Sequence, residues 1–194
     1  MNLFNTSGFN GKFMKPNSSL PIAGSVASTA FNRVLIEAKI KTGGGVLLQG
    51  QGVTTSAEQT ASVNAGSNLA PNVLTATKAT TTANGIVVDS ANSVVLQGDD
   101  FPQYLDNQIA RVALFGSGAE VYLAVKADFI TATGSIFYNV ANNELEKAAT
   151  APANSVAFNG VILSQVVNGI KGVVDTQNNN KVTTQSCFVV KVKL

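Results

Sequence analysis

The sequence predicts an all-β fold, a β-barrel or β-sandwich of jelly-roll type with an extended N-terminal arm and little helix. Three observations predict it. Apolar and charged residues alternate across residues 33–41, short apolar runs separated by turn residues follow one another from Ile109 to the C-terminus, and no window holds a helical period for long. With 194 residues, 45% of them hydrophobic and 12% charged, the chain has enough apolar side chain for a real core and too much for wholesale disorder. There is no Trp and there are ten Phe, so that core has to be packed from Val, Leu, Ile, Ala and Phe.

The expected organisation is an arm (1–28), an N-terminal β region with Thr/Ser/Ala-rich loops (29–108) and a C-terminal barrel or sandwich (109–194). In the arm, Phe4, Phe9, Phe13 and Met14 are separated by Asn, Gly, Ser and Pro, a mixture that sustains neither period. Such a segment orders by lying on its own domain or on a neighbour's. From Arg33 to Lys41, Val34, Ile36, Ala38 and Ile40 fall on one face and Arg33, Glu37, Lys39 and Lys41 on the other, a half-buried strand. Gly43 to Gly45 then turns the chain into a short strand, Val46-Leu47-Leu48.

Between Val53 and Ala83 the composition shifts to Thr, Ser, Ala and Asn, which reads as a long surface loop or weak edge strands. Ile86-Val87-Val88 is the next apolar element, and Ser93-Val-Val-Leu-Gln-Gly loosely echoes Gly45-Val-Leu-Leu-Gln-Gly. Strands are expected over 109–115, 121–127, 135–140, 155–158, 161–167, 170–174 and 187–194. Asn168-Gly169 supplies a two-residue hairpin turn and Asn142-Asn143 a looser one. The last strand puts Phe188, Val190, Val192 and Leu194 inward and Lys191 and Lys193 outward, and is expected to close the sheet. Windows 143–149 and 101–110 are the only helix-friendly ones, good for a turn or two.

Histidine is absent, which removes the usual general base near neutral pH and every Ser-His or Cys-His nucleophile pair, so no enzyme is expected. Asp99, Asp100 and Asp106 surround Phe101-Pro102-Gln103-Tyr104-Leu105 and read as a solvated loop ending a strand, with a cleft loop or weak calcium site as the other reading. The glycines of 43–52 lack the Lys-Ser/Thr of a phosphate loop, and Gly116-Ser117-Gly118 lacks the histidine a nucleophile elbow needs. No cofactor and no metal are expected. Cys187 is the one cysteine and reads as a packed strand residue. Lys39, Lys41, Lys191 and Lys193 read as an exposed sheet face that guards edge strands against stray pairing.

A net charge of +2 is too balanced to draw nucleic acid or an anionic membrane. No window approaches the roughly 18 apolar residues of a membrane-spanning helix. The N-terminus has neither the pattern of a secretory signal nor that of a transit peptide, so a soluble protein made in a cytoplasm is expected, with protein as its partner.

Four stretches of the C-terminal half, ARVALFGSGAEVYLAV (110–125), TATGSIFYNVANNELEKA (131–148), NSVAFNGVILSQV (154–166) and FVVKVKL (188–194), together resemble the small phage capsid cement or head-decoration proteins. The N-terminal half is longer than that family's pattern. The resemblance implies an all-β homotrimer on the virion surface, at junctions between capsomers of the major capsid protein, where it stiffens the shell. Phe4, Phe9, Phe13, Lys12, Lys15, Asp99 and Asp100 are then the expected capsid contacts, and removing Met1 to Ser25 is expected to weaken shell binding while leaving the β domain folded. The competing reading is a β-sandwich module of a fibre or adhesin that recognises a glycan or receptor, for which Tyr104, Tyr122 and Tyr138 are the available flat rings. A major shell subunit would need a long spine helix, and no amphipathic stretch of that length is present.

Overall fold

The computed structural model describes residues 20–27, 35–43, 45–58, 73–88 and 93–194, and among them there is no helix. The strands in chain order are β1 (Leu35–Lys41), β2 (Leu47–Leu48), β3 (Gly52–Glu58), β4 (Val73–Lys78), β5 (Gly85–Val87), β6 (Gln103–Tyr104) and β7 (Ile109–Leu114). They continue as β8 (Glu120–Val125), β9 (Ser135–Asn139), β10 (Glu144–Ala148), β11 (Ser155–Ala157), β12 (Val161–Ile162), β13 (Val167–Asp175) and β14 (Lys181–Lys193). The fold is all-β, as the sequence predicts.

Five strands close a small barrel in the order β1-β4-β3-β5-β7, parallel between β1 and β4 and antiparallel elsewhere. A barrel this narrow has room for few large side chains. Its core is accordingly filled by Ala38, Ala76 and Ala110 beside Ile40, Val53, Val87 and Val112. For the described parts of 53–83, namely 53–58 and 73–83, this corrects the reading as a surface loop or weak edge; 59–72 lie outside the described residues. The Thr-rich strands β3 and β4 are paired on both sides, and Thr75 (1% exposed) shares a 2.9 Å hydrogen bond with Ser56 directly opposite. β7, grouped with the C-terminal strands from sequence, pairs instead with β1 and β5 and so belongs to the barrel.

The second sheet runs β11-β9-β10-β8-β14-β12, with β13 also alongside β14. It packs on the outside of the barrel, and β5 shows why both halves share one body. Val87 points into the barrel while Ile86 and the following Val88 point into the larger core with Leu123, Tyr138, Leu145, Val190 and Val192. A strand covered on both faces reads as an unbroken apolar run.

Several expectations for the C-terminal part are corrected. Asn168-Gly169 is no turn: both residues lie inside β13, opposite Phe188 and Cys187, and neither has a positive φ. Gly169 is there because a Cβ would run into Val189 and the carbonyl of Pro21. The hairpin turns at 176–180, where Asn179 (φ 53) and Asn180 (φ 57) take the left-handed conformation. β12 and β13 lie in line along one edge of β14, broken near Ser164, whose hydroxyl accepts the Lys191 N–H in place of a backbone carbonyl. β14 begins at Lys181, six residues earlier than expected by 181 against 187, and is a central strand rather than a closing one. Phe188 shares a face with Val190 and Val192 but sits at the rim, 41% exposed. The helix-friendly windows are strand: 144–148 is β10, and 101–110 holds β6 and the start of β7.

The echo between Gly45-Val-Leu-Leu-Gln-Gly and Ser93-Val-Val-Leu-Gln-Gly has a structural counterpart. Each ends in a turn closed by the N–H two residues after Gln49 or Gln97 onto the carbonyl of Leu48 or Leu96, with Gly50 (φ 84) and Gly98 (φ 92) left-handed. Leu48 and Val94 both pair with Gln103, one on each side of it.

Candidate functional site

Phe4, Phe9, Phe13, Lys12 and Lys15 lie outside the described residues. The end of the arm does not. Residues 20–27 stitch two edges of the second sheet together: Ile170 donates to the Pro21 carbonyl and accepts from the Ala23 N–H, while Gly24 and Ala27 donate to the carbonyls of Tyr122 and Glu120. Tyr122 donates in return to Ser25, and Ala23 is buried against Ala124 and Val189. A deletion through Ser25 therefore strips part of the fold, and a truncation that spares it must stop before Leu20.

Asp99 is not in a solvated loop. Its carboxylate is 8% exposed and serves as a clamp: Oδ1 accepts the Val182 N–H at 2.9 Å and Oδ2 accepts from the Gln103 amide at 2.7 Å. The Val182 carbonyl in turn accepts the Asp100 N–H at 2.7 Å, and the Asp100 carboxylate stands 3.6 Å from Lys181. The loop thus takes the place of a neighbouring strand beside the free side of β14, and Phe101 fills the space that Gly172 leaves open. Asp106 points elsewhere, accepting the Thr42 N–H at 2.5 Å, and these hydrogen bonds from Thr42 hold its carboxyl below the usual range. Among the described residues no three His, Cys, Asp or Glu side chains gather as metal ligands.

The lysines do not guard edges. Lys39 and Lys41 lie in a barrel strand, and Lys191 and Lys193 in β14, each with neighbours on both sides; Lys191 also pairs with Glu120 at 2.6 Å. Gly116-Ser117-Gly118 is the β7–β8 turn, where the Ser117 hydroxyl accepts the Ala119 N–H. Cys187 is partly buried on β14, and burial pushes its thiol up to about 11, which makes it a poor nucleophile near neutral pH.

Two surfaces remain. The first is the outer face of the second sheet at its β12–β13 edge. Val161 (57% exposed), Leu163 (43%) and Val167 (42%) stand beside Lys193, Lys191 and Val189, which alternate along one face of β14. They make a row of exposed apolar side chains with the Lys191–Glu120 pair on its inner side. No sequence signal separated these residues from core, because an exposed apolar row and a buried one have the same period. The second surface is a cleft of about 470 Å³ between barrel and sheet, lined by Gln49, Lys78, Asn142, Lys171, Gly172 and Val174 among others.

No protein-family model matches the chain, and neither the curated proteins nor the solved structures contain a match to it.

Proposed function

We propose that this chain is a non-enzymatic structural protein that binds other protein surfaces, and that it serves as a phage capsid cement protein on the outside of the head. In this reading it acts as a homotrimer seated between capsomers of the major capsid protein. The observation that carries the reading is the exposed row of Val161, Leu163 and Val167 on a sheet whose opposite face packs Val190 and Val192 into the core. Apolar side chains fixed on a paired sheet, with a charged pair beside them, have the make-up of an interface core and its polar rim. Symmetry on a shell then converts modest single contacts into firm retention.

Of the stretches that resemble the cement family, 154–166 carries Val161 and Leu163 themselves, and 188–194 and the β8 part of 110–125 are the strands beside them. The glycan reading takes second place because Tyr104 and Tyr138 are buried with their hydroxyls bonded to the carbonyls of Val88 and Gly50, which leaves Tyr122 as the available ring.

The test is co-sedimentation with isolated phage shells, using the full chain and a V161D/L163D variant. Saturable pelleting that the variant loses while keeping its far-UV spectrum is the expected result. A variant that pellets as well as the parent contradicts the assignment of this face.

A further inference from the structure

The cleft has a strand edge along one wall. In β13 every residue from Val167 to Asp175 is in register with β14, so backbone groups alternate without interruption between facing β14 and facing away. Ile170 fixes the phase, since its N–H and C=O both face away, toward Pro21 and Ala23. Gly172 and Val174 therefore also present theirs outward, into the cleft that both residues line. Among the described residues the chain covers this edge only at Ile170, as a short parallel strand, and then leaves at Gly24 (φ 84) for Tyr122. Beyond that departure the edge is uncovered by any described strand.

The charge around it is unequal. Lys171 and Lys78 both line the cleft, and Glu144, 3.6 Å from Lys171, is the one carboxylate of the described residues in ion-pair reach of either. Lys78 donates one hydrogen bond, 2.8 Å to the Val46 carbonyl, which leaves ammonium donors unused. Burial lowers its pKa, the mark of a cation that has lost water without gaining an anion.

We propose that this cleft binds an extended peptide segment of a partner protein, which adds as a short strand to β13 at Gly172 and Val174 and offers a carboxylate side chain to Lys78 and Lys171. Main-chain hydrogen bonds give such a site its hold, and the lysines give it a preference for an acidic residue. The inference rests on the reading of the chain as a protein that binds other protein surfaces, and gives that binding a second, chemically defined contact away from the apolar row.

The probe is the capped peptide acetyl-Val-Thr-Asp-Val-Thr-amide, titrated into the ¹⁵N-labelled full chain. Saturable shifts of the Gly172 and Val174 amides are expected, with affinity falling at least tenfold when the peptide's Asp becomes Asn, when its backbone is N-methylated, or in the Lys171→Gln protein. Val174→Pro removes an outward donor without touching the ladder to β14, and is expected to weaken binding to a similar degree. No shift at millimolar peptide overturns the inference, as does equal binding of sodium acetate or of the N-methylated peptide. A protein that ignores the peptide yet pellets with shells overturns this inference alone. One that binds the peptide and ignores shells overturns the capsid reading and leaves the cleft assigned.

Discussion

Replacing Asp99 with Ala tests how the loop before β6 is held on β14. The carboxylate is 8% exposed and satisfies two donors, the N–H of Val182 (0% exposed) and the side-chain amide of Gln103 (6% exposed). Removing it leaves both donors buried without a partner, each costing about 1–3 kcal/mol, so a loss of about 2–6 kcal/mol is expected. Asp99→Asn is the control. It keeps an oxygen for Val182, and a turned-over Gln103 amide restores the second bond, so its cost is expected near 1 kcal/mol. Urea denaturation followed by far-UV circular dichroism reads both, and for a chain of this length each kcal/mol moves Tm by about 2–4 °C. An alanine variant within 1 kcal/mol of the parent, or an asparagine variant as damaged as the alanine one, refutes the clamp.

Four further outcomes follow from the same geometry. Tyr138→Phe deletes the hydroxyl that donates to Gly50 at 3.1 Å, with Asn143 at 3.2 Å, and is expected to cost about 1 kcal/mol by the same denaturation assay. Because burial raises the Tyr138 pKa, the folded protein is also expected to show at least one fewer tyrosinate in an alkaline ultraviolet titration than the unfolded chain. Cys187, with its thiol pushed up to about 11, is expected to react with iodoacetamide far more slowly at pH 8 in the native protein than in urea, read by intact mass. Asp106 has a folded pKa below its ordinary 3.8, so its contribution is present above that value and is lost as pH falls through the lower, folded value. Asp106→Asn is therefore expected to flatten the fall in stability below pH 3.8, measured as urea midpoints across an acid series.

Legibility in the sequence followed contrast between side chains. β1 and the end of β14 were readable because Ile, Val and Leu alternate there with Lys and Glu, and the run at Ile86 to Val88 because both of its faces are buried. β3 and β4 were not, since small Ala76 fills the narrow barrel while Thr75 is buried on the strand's other face, which erases the period-two signal. Asn168-Gly169 misled because glycine answers two different needs, a left-handed turn and a close approach; here Gly169 serves the approach of Pro21. The roles of Asp99 and of the Val161–Leu163–Val167 row depend on loops and edges that local patterning does not encode. The first appears only when residues more than 80 positions apart, 99 and 182, come together, and the second only when β12 and β13 line up along β14.

The measurement that bears most directly on the cement reading is the solution mass of the purified full chain by light scattering, followed at once by pelleting with isolated phage shells. The account predicts a trimer that co-sediments saturably. A monomer that leaves the shells untouched and binds glycans or cells instead would contradict it.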